Sequence, residues 1–116
     1  MLFRSIGTDI KSGRIDGYDH NYILGDPGIM RKAAVAYDAK TGIEMITYTD
    51  KPAMQLYTAN NLNESGKGGA KYGKFAGFCL ETQFTPNTPN LPGFPSCVLK
   101  KGEEYRFVTE YSFAVK

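Results

Sequence analysis

The C-terminal segment constrains the fold more than any other part of the chain. Tyr105, Phe107, Thr109, Tyr111, Phe113 and Val115 alternate with Arg106, Val108, Glu110, Ser112 and Ala114. That period of two suits an extended strand and not a helix, whose repeat is 3.6. One side of this strand is strongly apolar and needs a covering layer. The same pattern recurs upstream. Residues 33–38 (AAVAYD) and 43–49 (IEMITYT) flank Ala39-Lys40-Thr41-Gly42, a loop whose glycine supplies a positive φ, so the pair is predicted to form a β-hairpin. Residues 54–60 read as a further strand, with Gln55, Tyr57 and Ala59 opposite Met54, Leu56 and Thr58. Helical signals are nearly absent, and no repeat, low-complexity tract or linker divides the chain. The expectation is an all-β, antiparallel β-sandwich, with residues 1–116 as one domain segment.

Composition removes several function classes. With 41% hydrophobic and 13% aromatic residues the chain is not disordered, and no apolar run reaches the roughly 20 residues of a membrane span. At this size it is expected to bury about two thirds of its unfolded surface. The net charge of +2, from 14 basic and 12 acidic residues, is too small to favour nucleic acid. Lys67, Lys71 and Lys74 cluster, but in a glycine-rich loop without the aromatic platforms that single strands need. Met1-Leu2-Phe3-Arg4 opens no signal peptide, so Cys79 and Cys97 read as two buried thiols in a reducing, cytoplasmic compartment. A single histidine and no Cys-x-x-Cys spacing argue against a zinc site.

The chemistry centres on Gly77-Phe78-Cys79-Leu80-Glu81-Thr82-Gln83. Alternation puts Phe78, Leu80 and Thr82 on one face and Cys79, Glu81 and Gln83 on the other. A carboxylate mounted on a rigid strand is a candidate general base; the plainer reading is a polar face turned to solvent. Residues 68–74 satisfy the spacing of a phosphate-binding loop, but Phe75 stands where Ser or Thr is required and no helical pattern follows. Pro86, Pro89, Pro92 and Pro95 recur every third residue and favour an extended, polyproline-like path.

Taken in order, GYDHNYIL (17–24), QLYTAN (55–60), GKGG (66–69) and GFCLETQ (77–83) closely resemble the C-terminal part of the aldose 1-epimerase (galactose mutarotase) family. The resemblance runs from Phe3 and Arg4, through TPNTPNLPGFPS, to KGEEY at 101–105. It implies the galactose mutarotase-like sandwich, of which these strands form the last portion. It also implies an enzyme that interconverts the α and β anomers of aldohexoses such as galactose or glucose, without metal or organic cofactor. On this resemblance Glu81 is the general base, Asp19 and Gln55 hydrogen-bond substrate hydroxyls, and the glycine-rich loop rims the sugar cleft.

The general acid of the family is a histidine upstream of the matched region, with another histidine and an arginine also upstream. The one histidine here, His20, occupies the Asp-His motif and on a strand points away from Asp19; it reads as a hydrogen-bonded structural residue. Met1 falls within what the family has as a strand. The sequence is therefore expected to be a fragment, inactive alone, and to pair with the missing N-terminal part of the sandwich or with itself through exposed sheet edges. The alternative is a non-catalytic carbohydrate-binding or structural β-domain that kept the anchors and lost the acid.

Overall fold

The computed structural model describes residues 5–116, so the readings of Met1 to Arg4 lie outside the described residues. Strands dominate, as expected: β1 (Asp19–Ile23), β2 (Arg31–Tyr37), β3 (Ile43–Thr49), β4 (Ala53–Tyr57), β5 (Glu64–Ser65), β6 (Lys71–Tyr72), β7 (Cys79–Gln83) and β8 (Thr109–Val115). They form sheets ordered β1-β4-β7, β2-β3-β8 and β5-β6. A short helix, α1 (Ile6–Lys11), was not expected from the sequence. Six residues are too few to show a helical period, and an isolated helix of this length is unstable without added contacts. Here the Ser12 hydroxyl donates to the Asp9 carbonyl at 2.9 Å and Arg14 pairs with the Asp9 carboxylate at 2.9 Å.

The chain divides into two compact units, one of residues up to His20 with Leu56–Cys79, the other Asn21–Gln55 with Leu80–Lys116. In the first, the Tyr18 N–H donates to Thr58 Oγ1 at 2.8 Å, while Thr58 N–H and Asn60 Nδ2 donate to the Tyr18 carbonyl at 3.1 and 3.0 Å. These bonds bring Asn60 so close to Gly17, at φ 142°, that a Cβ there would lie 2.0 Å from Asn60 Oδ1; only glycine fits. The glycine-rich loop is the end of the β5-β6 hairpin, with Gly68 and Gly69 at positive φ and a 3₁₀ turn at Lys67–Gly69. It opens no α-helix, in keeping with the rejected phosphate-loop reading.

The second unit contains the expected hairpin. β2 and β3 pair antiparallel from Arg31↔Thr49 to Tyr37↔Glu44, with an irregularity between Lys32 and Ala34. β8 pairs with the other edge of β3, from Ile43↔Val115 to Thr49↔Thr109. In the turn, Gly42 lies at φ 75°, and its N–H donates to the Asp38 carbonyl at 2.8 Å. The Thr41 hydroxyl and the Lys40 N–H both donate to the Asp38 carboxylate, and they lower its pKa. A lowered folded-state pKa means that this support is present above the ordinary carboxylate range and is lost as pH falls through the lowered value.

The interior of the second unit is small: Gly42, Thr47, Thr49, Pro52, Ala53, Met54 and Thr88 are buried. β7 and β8 meet through Thr82 and Thr109, whose hydroxyls are 2.5 Å apart, and through the Tyr111 hydroxyl, which donates to the Leu80 carbonyl at 2.8 Å.

Several expectations require correction. The last strand starts at Thr109, not Tyr105; the Val108 N–H leaves the ladder to donate to Asp50 Oδ1, and its carbonyl accepts from Thr49 Oγ1 and, at 3.4 Å, from the Asp50 N–H. β4 stops at Tyr57, before Thr58 to Asn60, and Ala59 takes a left-handed φ of 53° that an extended strand does not accommodate. The proline-rich stretch is not extended throughout. Asn87 at φ 63° leads into a 3₁₀ turn at Thr88–Asn90, closed by the Thr88 hydroxyl on the Thr85 carbonyl and by Asn90 Nδ2 on Asn87 Oδ1. Cys79 and Cys97 are unpaired, as expected, but exposed rather than buried.

Burial also falls short of expectation. The chain exposes 8383 Å², whereas a compact monomer of this mass exposes about 6,300 Å². Many large apolar side chains are exposed. Tyr111, Phe113 and Val115 are 46, 66 and 78% exposed, and they share a face of the β2-β3-β8 sheet with their register partners, among which Ile43 is also exposed. An exposed apolar face of this kind favours association. The chain is expected to show concentration-dependent association by sedimentation velocity, and Phe113→Lys with Val115→Lys should shift it toward monomer. A wild-type chain that stays monomeric at all concentrations would contradict this.

Candidate active site

Glu81 is the third residue of β7 and its side chain is exposed. Its neighbours point inward, as alternation requires: Thr82 meets Thr109 and Leu80 is half-buried. Side chains from other segments hold the backbone carbonyl on either side of it. The Leu80 carbonyl accepts from the Tyr111 hydroxyl, and the Thr82 carbonyl accepts from Lys51 Nζ at 3.3 Å. The Lys51 ammonium in turn lies 5.7 Å from the centre of the Tyr105 ring. Among the described residues, no hydrogen bond or ion pair engages the Glu81 carboxylate. An ionised glutamate presented in this way has its acceptor oxygens available to a ligand hydroxyl.

Gln55, in β4, is half-buried and joins an amide cluster within the same unit. Gln83 Nε2 donates to Gln55 Oε1 at 2.9 Å and to Asn21 Oδ1 at 2.9 Å, and Asn21 Nδ2 donates to Thr85 Oγ1 at 3.4 Å. Gln83 lies two residues beyond Glu81, on the same side of β7. The structure therefore ties the predicted Gln55 to the strand that carries Glu81. Asn21 and Gln83 were missed as members of this cluster, although Gln83 falls on the polar face that the alternation of β7 defines. Asn21 occupies the equivalent position in β1, two residues after Asp19, and that periodicity was the available signal.

Asp19 opens β1, is exposed and belongs to the first unit. Its backbone N–H donates to His20 Nδ1 at 3.0 Å. His20 is hydrogen-bonded, as its structural reading required, and its ring stands edge-on to Tyr18 at 5.4 Å. Because Nδ1 accepts, the neutral ring carries its proton on Nε2. Among the described residues, no group of three His, Cys, Asp or Glu side chains is placed to hold a metal ion, and no helix is long and apolar enough to cross a membrane.

Comparison with known proteins bears on family and fold. The aldose 1-epimerase family profile matches residues 3–112. Galactose mutarotase of Bos taurus is 40% identical over 112 residues, covering 95% of this chain and 33% of the bovine protein. Aldose 1-epimerase of Escherichia coli (strain K12) is 38% identical over 110 residues, covering 91% of this chain and 32% of its own length. The chain thus spans about a third of these relatives. The crystal structure of an aldose epimerase homologue from C. elegans superposes with a TM-score of 0.72 at 26% identity, covering 84% of this chain and 30% of that one. The all-β, mutarotase-like fold expected from the sequence is therefore the fold observed.

Proposed function

The chain belongs to the aldose 1-epimerase family, and from that premise we propose that it supplies the general base and part of the sugar-binding surface of a mutarotase acting on aldohexoses such as galactose or glucose. The observation that carries this reading is Glu81, exposed on β7 with the carbonyl on either side of it held by Tyr111 and Lys51. In the proposed reaction, the Glu81 carboxylate takes the proton of the anomeric hydroxyl. The oxygen lone pair closes to a carbonyl as the bond from the anomeric carbon to the ring oxygen breaks. Rotation about the adjacent carbon–carbon bond and the reverse steps give the other anomer. A carboxylate positioned against the proton it removes is an ordinary general base.

The leaving ring oxygen needs a proton, and His20 is held by the Asp19 N–H. The acid is assigned to a polypeptide segment outside these 116 residues, so the chain is read as the C-terminal segment of one sandwich domain. The exposed apolar side of the β2-β3-β8 sheet supports that reading. Gln55 is assigned to a sugar hydroxyl on its half-buried place beside Gln83, and Asp19 on the family resemblance. A cytoplasmic location accords with two unpaired thiols.

Polarimetry of freshly dissolved α-D-galactose tests the function: the chain joined by an upstream polypeptide bearing the family's histidines should accelerate mutarotation in proportion to its concentration. No acceleration by that assembly, with its fold intact, would overturn the reading. In the same assembly, Asp19→Asn and Gln55→Ala should each weaken galactose binding by about 1–3 kcal/mol, as a partner hydroxyl loses its hydrogen bond. Calorimetric titration measures this, and unchanged affinity in both variants would place the sugar elsewhere.

A further inference from the structure

The side-chain amide of Gln83 is held through its nitrogen and open at its oxygen. A primary amide nitrogen carries two hydrogens, and those of Gln83 Nε2 meet two carbonyl oxygens, Asn21 Oδ1 and Gln55 Oε1, each at 2.9 Å. The amide cannot turn without losing both bonds, so its oxygen keeps one place. That oxygen, Oε1, receives no hydrogen bond from any described residue. The side chain is half-buried, and a carbonyl oxygen partly shielded from water gains from a donor brought by a ligand. Its position suits such a ligand. Gln83 and Glu81 stand on the same side of β7, their Cα atoms about 6.5 Å apart along the strand. A pyranose ring with its hydroxyls is of comparable breadth.

Resting on the reading of Glu81 as the base of a mutarotase, we propose that Gln83 is a further substrate contact, its Oε1 accepting a hydrogen bond from a sugar hydroxyl other than the anomeric one. A carbonyl oxygen accepts and cannot donate. The contact therefore selects a hydroxyl that gives its hydrogen, and it gains nothing from fluorine at the same carbon. The bonds to Asn21 and Gln55 hold this acceptor in one orientation, on the strand that carries the base.

Calorimetric titration of the mutarotation-competent assembly tests this, with galactose and with analogues that carry fluorine in place of one hydroxyl at each carbon beyond the anomeric one. Gln83→Leu should weaken galactose binding about 10-fold. For one analogue the same replacement should change nothing, because the hydrogen that Gln83 receives is already missing. No loss for galactose, or an equal loss for every analogue, overturns the proposal. Gln55→Ala separates direct contact from action through Gln55: in that background Gln83→Leu should still weaken binding. A silent Gln83→Leu there would mean that Gln83 serves only to hold Gln55, and overturns the proposal as well. A measurement on the wild-type assembly needs no variant to fold. With isotope-labelled glutamine, the carbonyl carbon resonance of the Gln83 side chain should move downfield as galactose saturates the site, and an unmoved resonance overturns the contact. An assembly that binds galactose without speeding mutarotation fails the mutarotase reading alone, since titration and resonance judge Gln83 without reference to turnover. One that binds no galactose overturns both.

Discussion

Glu81→Ala in the complete assembly is expected to lower the mutarotation rate about 10²-fold to 10⁴-fold, the usual contribution of a positioned general base. The fold should survive the change, because the Glu81 side chain is exposed and the contacts that hold β7 against β8 belong to its neighbours. Unchanged circular dichroism should therefore accompany the loss of rate. A conservative Glu81→Gln should be nearly as slow, since it keeps size and polarity and removes only basicity. A near wild-type rate in either variant would sink the assignment. Lys51→Met provides a graded companion. It frees the Thr82 carbonyl from Lys51 Nζ and should reduce rate less than either change at Glu81, because it loosens the mount and leaves the base.

What could be read from the sequence and what could not divide along physical lines. Elements set by local alternation were found in nearly their observed places. The β2-β3 hairpin required only two alternating runs and a glycine at positive φ, and Gly42 supplies that. The polar face of β7 was likewise available from period two alone, which is why Glu81 and Gln83 fell on one side. Features set by distant side chains were not available. Nothing local shows that Asp50 and Thr49 take the polar groups of Val108, the residue before the last strand. Nor does proximity in sequence link Asn21, Gln55 and Gln83, which come together only when β1, β4 and β7 line up in one sheet. The cysteines were misread for a related reason. A thiol inside a strand is usually covered, but Cys79 stands on the exposed side of β7. Sequence pattern assigned sides to the strands, and the covering of each side depended on what lay against it.

The same exposure bears on the second large effect. These 116 residues alone are expected to show little or no mutarotase activity above the spontaneous rate. Base-catalysed ring opening leaves negative charge on the ring oxygen, and losing one proton-transfer partner removes about 10²-fold to 10⁴-fold of rate. His20 is the only histidine in the sequence, and its Nδ1 is already engaged by the Asp19 backbone. The proposed anchors, Asp19, Gln55 and Gln83, are three contacts only, so binding is expected to be weak as well. Supplying an upstream polypeptide with the family's histidines should restore turnover and also suppress the association driven by Tyr111, Phe113 and Val115, because one partner would cover the apolar face while completing the acid–base pair. The two recoveries should appear at the same molar ratio of the pieces. Robust turnover by the purified 116 residues alone, proportional to their concentration and abolished by Glu81→Ala, would show instead that His20 or another group within them donates the proton.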